Sequence, residues 1–267
     1  MSCLAEQAKI LVAEALENNL GAKVMTERWH RWAMCSLCEQ DYHGVVACAL
    51  GWACWKTYVG RPETDPVRMG AMTELGNGLF AANRYEDSLP VREAELAMNR
   101  RFGHGEEAIL AAQGNLASTH QQLRRYEEAN CLRRDVYSAY LRLHGEQHVR
   151  TVTGANNYAN SLVMLKRFEE ARSLTRKMIP VARRVLGESH DIPLKMRKMY
   201  AEATYFDAGA TLDDLREAVA MLEEIERTAR RVLGGAHPLT VDIERELGIA
   251  RATLRPRETP WSAPEDK

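Results

Sequence analysis

Charge of one sign is lacking: 36 Lys and Arg face 37 Asp and Glu, for a net charge of −1. A broad nucleic-acid or membrane-surface footprint needs an excess of basic residues, so neither is expected. Long hydrophobic runs are lacking as well. The longest charge-free stretch of the cysteine-rich region, Tyr42 to Trp55, is too short to span a bilayer as a helix. The opening residues, MSCLAEQAKILVAEALENNLG, carry Glu6, Glu14 and Glu17 where a secretory signal would have a basic segment and an apolar core. With no such signal, the cysteines are expected to be reduced and the chain cytoplasmic. Nine prolines and seventeen glycines are too few for a fibrous or low-complexity chain. Only four phenylalanines, beside abundant Ala, Leu, Glu and Arg, point to helix. A hydrophobic fraction of 45% excludes wholesale disorder.

Cysteine is nearly missing beyond residue 54. Cys3, Cys35, Cys38, Cys48 and Cys54 precede that point and Cys131 alone follows. Trp29, Trp32, Trp52 and Trp55 crowd into the same region.

The chain repeats itself every 42 residues. Gly103, Gly145 and Gly187 keep that spacing, as do Asn115 and Asn157, Ala117 and Ala159, Tyr126 and Phe168, and Ala129 and Ala171. A copy upstream places Leu75, Gly76, Tyr85 and Ser88 at equivalent positions, and a copy downstream places Tyr200, Ala201, Ala218 and Gly234. The downstream copy carries an insertion of five residues near Asp207 to Asp213. Each copy reads as a helix hairpin. Gly76, Ala117, Ala159 and Ala201 let a neighbouring helix approach the first helix. Ala129, Ala171 and Ala218 do the same for the second, and Tyr85, Tyr126 and Phe168 plug the turn. A glycine ends each long second helix. One hairpin cannot bury its apolar face alone, and stacking the copies buries it.

The segments NLA and NYA, RYEEA and RFEEA, and VLGESH and VLGGAHP make the pattern resemble the tetratricopeptide repeat, in the 42-residue form of kinesin light chain, over about Met72 to Leu254. The resemblance implies an all-α, right-handed α-solenoid of tetratricopeptide-like helix hairpins. It does not extend to the heptad coiled coil through which a light chain binds its motor, so kinesin heavy chain is not an expected partner. The expected organisation is an N-terminal amphipathic helix over 1–27 and a solenoid over 28–254. The solenoid comprises a divergent Cys/Trp-rich hairpin (28–61), repeats at 70–109, 110–152, 153–194 and 195–241, and a closing helix (242–254). A disordered tail over 255–267 holds Pro256, Pro260, Trp261 and Pro264.

The cysteine region admits two main readings; redox catalysis by Cys35-x-x-Cys38 is not expected, since no βαβ pattern surrounds it. Cys35, Cys38, His43 and Cys48 have the spacing C-x2-C-x4-H-x4-C, which resembles the zinc knuckle, a single-strand nucleic-acid binder. Yet Glu39 and Tyr42 stand where the knuckle usually has glycine, and the segment has no Lys or Arg. Alternatively, aligning Tyr42 with Tyr126 makes the region one more helix hairpin. Cys35 and Cys38 would then be one helical turn apart, Cys48 small apolar filling, and Trp52 and Trp55 one packed face. The hairpin is preferred, with structural zinc retained as the minority reading and as the one possible cofactor.

Nothing in the sequence suggests catalysis. There is no glycine-rich phosphate loop, no nucleophile elbow and no histidine pair at helical metal spacing. His148, His190 and His237 recur in the inter-repeat linker and read as caps or linker packing. In tetratricopeptide domains the first helices line a concave groove, and an asparagine just before the packing residue grips peptide backbone. The resemblance carries that role to Asn115 and Asn157. Ser118, Gln122, Asn156 and Asn160 should face the same groove, and Lys195 and Lys198 should add positive charge suited to acidic peptides. A carboxamide both donates and accepts, so it can hold a backbone without reading its side chains. The expected function is a non-catalytic scaffold binding peptide segments of other proteins. The alternative is a zinc-knuckle nucleic-acid-binding protein with a helical-repeat extension.

Overall fold

A computed structural model describes residues 2–258; Trp261, Pro260 and Pro264 lie outside the described residues. These hold twelve α-helices and a single isolated β-bridge. None of the helices is long and apolar enough to cross a membrane. The chain divides into two compact units, 1–125 and 126–267.

The first unit contains α1 (Ser2–Glu17), α2 (Gly21–Trp29), a 3-10 turn (His30–Trp32), α3 (Gly44–Tyr58), α4 (Pro66–Ala81), α5 (Tyr85–Arg101) and α6 (Glu106–Gln122). The expected single helix over 1–27 is therefore broken. Asn19 adopts a left-handed conformation (φ 49°), and the Leu20 amide turns back to the Ala15 carbonyl at 3.1 Å, closing α1. The expected hairpin over 28–61 is also corrected. Only its second helix, α3, forms; residues 33–43 make a bridged loop, and α1 packs against α3 instead. Ala8, Val12, Trp32, Cys54, Tyr58, Val67 and Ala71 form the core here, with Trp29 and Trp55 packed on it. Trp52 is exposed, so the expected Trp52–Trp55 face does not form. The buried cysteine is Cys54, while Cys48 is half-buried beside Arg84.

Helices α3 and α4 approach backbone to backbone. A Cβ on Gly51 would stand 2.7 Å from the Glu74 carbonyl oxygen, and one on Gly78 would run into that of Ala47. Gly76 leaves room for the buried Arg92 guanidinium, which reaches Glu95 at 2.8 Å and Asn77.

The second unit contains α7 (Tyr126–His144), α8 (Val149–Met164), α9 (Phe168–Leu186), α10 (Asp191–Tyr205), α11 (Leu212–Leu233) and α12 (Pro238–Glu258). From α4 to α11 the helices alternate as first and second members of the four expected repeats. The turns between members repeat too. Asn83, Arg124 and Lys166 are left-handed (φ 58°, 59° and 58°), each followed by an amide that bonds back five residues, from Arg84 to Leu79, Arg125 to His120 and Arg167 to Leu162. Gly103, Gly145, Gly187 and Gly234, which follow the second helices, all have positive φ, as a helix stop requires. The small positions behave as expected: Ala117, Ala159 and Ala201 are fully buried, as are Ala129, Ala171 and Ala218 to within 1%.

Helix α10 serves two cores. Met196, Met199 and Ala203 join Val152, Ala155, Leu162 and Met178, while Leu194, Ala201 and Tyr205 join Leu215, Leu222, Ile225 and Ile243. The five-residue insertion forms the loop before α11, whose start is held by a capping box between Thr211 and Asp214.

The closing helix is longer than expected at both ends. Disorder was expected from residue 255, but α12 runs to Glu258 with Pro256 inside it. Two contacts tie the last turn down: Arg257 donates to the Ala210 carbonyl at 2.6 Å, and Arg216 to Glu258 at 3.0 Å.

Because α3 and α4 touch through backbone, Gly78→Ala should lower the stability of the protein by about 1–3 kcal/mol, the usual cost of overpacking. Urea unfolding measures it, and an unchanged midpoint would contradict the close approach.

Candidate functional site

Three of the helices in the second unit begin with the same device. The Nδ1 atom of His148 accepts the Arg150 amide, that of His190 the Ile192 amide and that of His237 the Leu239 amide, each at 3.2 Å. At His148 and His237 the imidazole thus satisfies an orphan donor of the first turn; the His190 Nδ1 also lies 2.7 Å from the Asp191 carboxylate. The recurring histidines are caps, as their linker position suggests.

With α8, α10 and α12 started alike, their exposed faces line one groove of about 800 Å³. Asn156, Asn157 and Asn160 come from α8, Lys195, Lys198 and Met199 from α10, and Pro238, Leu239, Val241, Asp242 and Arg245 from α12. Five of the eight expected groove residues meet here: Asn156, Asn157, Asn160, Lys195 and Lys198. Met199 and Leu239 are largely buried, while Val241 stands 52% exposed as an apolar contact point.

The amides differ in their readiness. Asn157 is exposed, and its backbone carbonyl is held from behind by Arg133 Nη1 at 3.3 Å. Burial pushes the Arg133 guanidinium down to about 10, so this support sits in a dry setting. Asn156 donates to the Asn157 side chain at 3.3 Å, but its own Oδ1 is buried without a partner.

The lysines do not offer free charge. Lys195 pairs with Asp191 and Lys198 with Asp242, both at 2.6 Å, and Arg245 also reaches Asp242. The expected attraction for acidic peptides is thereby largely compensated within the protein.

The other three expected residues lie on α6 in the first unit, at spacings that share one helical face. Asn115 and Ser118 are half-buried and Gln122 is exposed; the Ser118 hydroxyl donates to the Gly114 carbonyl at 3.1 Å. The contribution of α12 was missed by reading it as a closing helix from Asp242. Its signal was present: GGAHP at 234–238 repeats the GESHD of 187–191, and so announces one more groove-lining first helix.

The proposed zinc ligands are not gathered. Cys35 and Cys38 lie in the 33–43 loop, His43 precedes α3, and Cys48 is within α3 beside Arg84. Among the described residues no cluster of three or more His, Cys, Asp or Glu could hold a metal ion. The spacing matched, but α3 begins at Gly44 and carries Cys48 away on its own face.

Residues 109–184 match the family model described as tetratricopeptide repeat. The fold is similar to a Podosopora anserina putative kinesin light chain with nearly identical TPR-like repeats. That match has a TM-score of 0.59 at 20% identity and covers 73% of this chain and 90% of that one. It is also similar to BtubC (BKLC) from P. vanneervenii, with a TM-score of 0.53 at 12% identity over 83% of this chain and 94% of that one. A Rap protein complexed with competence and sporulation factor matches with a TM-score of 0.52 at 14% identity. There 79% of this chain is covered, and 59% of the other. No curated protein matches the sequence significantly. Residues 109–184 thus carry tetratricopeptide repeats, and the all-α fold is similar to that of kinesin-light-chain-like repeat structures.

Removing the cap of α8 with His148→Ala should cost about 1 kcal/mol of stability, and His148→Asn should recover most of it. Equal unfolding midpoints for wild type and alanine variant would rule out the capping role.

Proposed function

We propose that this protein is a non-catalytic scaffold that holds an extended peptide segment of another protein in the α8–α10–α12 groove. The observation that carries the reading is the row Asn156, Asn157 and Asn160 along one wall of the groove. An extended backbone presents alternating N–H and C=O groups, which carboxamides can meet in either sense. Met199, Leu239 and Val241 supply an apolar surface for one or two anchoring side chains. Because Lys195 and Lys198 are already paired, selectivity rests on shape and apolar anchors more than on net charge. The related array of the Rap protein, found in complex with a factor, supports a binding role for such a fold. Micromolar affinity, about −8 kcal/mol, is expected for such a site.

Peptides selected from a random library on the purified protein provide the test. Asn156→Ala combined with Asn157→Ala should weaken the selected peptides about tenfold or more, as two hydrogen bonds of about 1 kcal/mol each imply. The control Glu223→Ala, on α11, should leave affinity unchanged. Equal affinity for the double variant and wild type would contradict the groove.

A further inference from the structure

The Cys35-Ser-Leu-Cys38 loop belongs neither to the groove nor to a metal site, yet it is tightly built. Met34 and Asp41 form a β-bridge across its base. The Cys35 amide donates to the Gln40 carbonyl at 2.9 Å, the Tyr42 amide to the Ala33 carbonyl at 2.8 Å, and the Glu39 amide to the Cys35 carbonyl at 3.1 Å. Glu39 takes a left-handed conformation (φ 55°), which returns the chain over Cys35. Inside this turn the Leu37 amide points at the Cys35 sulfur, with N to Sγ 3.4 Å. The Leu37 side chain is 93% exposed and Cys38 is exposed beside it.

Two consequences follow from this geometry. First, the backbone donors favour the anionic sulfur. The amides of Cys38 and Leu37, followed by the Cys38 and Tyr42 side chains, hold the Cys35 thiol below its ordinary range. Second, Cys35 and Cys38 stand three residues apart inside the turn that the Glu39 amide closes onto the Cys35 carbonyl, a spacing that brings side chains within about 5–6 Å, Cβ to Cβ, from which a disulfide needs only modest movement. The other thiols differ. Burial pushes the Cys54 thiol far up and makes it inert, while Cys3 and Cys131 are exposed on α1 and α7.

We propose that Cys35 and Cys38 form a redox-active dithiol that exchanges with low-molecular-weight disulfides of the glutathione class. The Cys35 thiolate attacks one sulfur of the small disulfide; its S–S bond breaks and one small thiolate leaves. Cys38, losing its proton to solvent, attacks the Cys35 sulfur of the mixed disulfide and expels the second small thiolate. The protein dithiol is oxidised by two electrons, the small disulfide is reduced to two thiols, and the Cys35–Cys38 bond is formed. A dithiol needs only these two sulfurs, whereas a closed metal site would need further ligands that the loop does not bring.

The test is exposure of the purified full chain to glutathione disulfide at neutral pH, read by peptide mapping and mass spectrometry. The wild type should lose two hydrogens and yield a Cys35–Cys38 disulfide several-fold faster than Cys3 or Cys131 acquires glutathione. Cys38→Ser should accumulate glutathione on Cys35, and Cys35→Ser should leave Cys38 reacting no faster than Cys131. Circular dichroism should show unchanged helix in both variants, since the loop lies outside the helices. Three results would overturn the proposal: Cys35 reacting no faster than Cys131, adducts on every exposed thiol with no internal disulfide, or a stoichiometric metal in the purified protein that alkylation of this pair releases.

Discussion

An apolar stripe that one hairpin cannot cover is the constraint from which the second unit follows. Helix α10 shows it most plainly, because it is covered on two sides. Met196, Met199 and Ala203 face one core, and Leu194, Ala201 and Tyr205 face the other. Fully burying a side chain of this size contributes about 1.5–3 kcal/mol. The small residues Ala159 and Ala201 permit the close approach this burial needs. Once α10 is clamped between neighbours, only its outer edge is left to meet solvent. The groove is that leftover edge, together with those of α8 and α12.

The same constraint shapes the chemistry of the groove. Its floor is drawn from residues that already serve the cores, such as Met199 and Leu239. Its cations are held by carboxylates of the same unit, so the wall presents little uncompensated charge. What is left unsatisfied is a carboxamide oxygen on Asn156. In the proposed reading, such a surface would meet the backbone and one or two apolar side chains of a bound segment. Arg133, buried behind Asn157, steadies the wall through the backbone.

Much of this was legible in the sequence, because the repeat acts through small residues and glycines whose roles are local. The spacing of Gly103, Gly145 and Gly187 marked helix stops, and the positive φ values bear that out. The histidines of the linkers were readable as caps for the same reason. The reading failed where one spacing serves two backbones. Cysteines three apart are neighbours on a helix and also in an isolated turn, and here the left-handed Glu39 ends the turn just after Cys38. It failed again at Asn19, where a second helix starts after a break that periodicity does not register. Asn156, Asn157 and Asn160 were expected in the groove and line it, but the part α12 plays there was missed because its helix was started four residues too late. Ion pairing of Lys198 with Asp242, 44 residues away, depends on packing that no local pattern reveals.

Hydrogen–deuterium exchange on the full chain, with and without a selected peptide, tests the central claim most directly. The account predicts slowed exchange over the groove-lining stretches of α8, α10 and α12, with α9 and α11 unchanged. Protection confined to α9 and α11, or to none of the first helices, would contradict it.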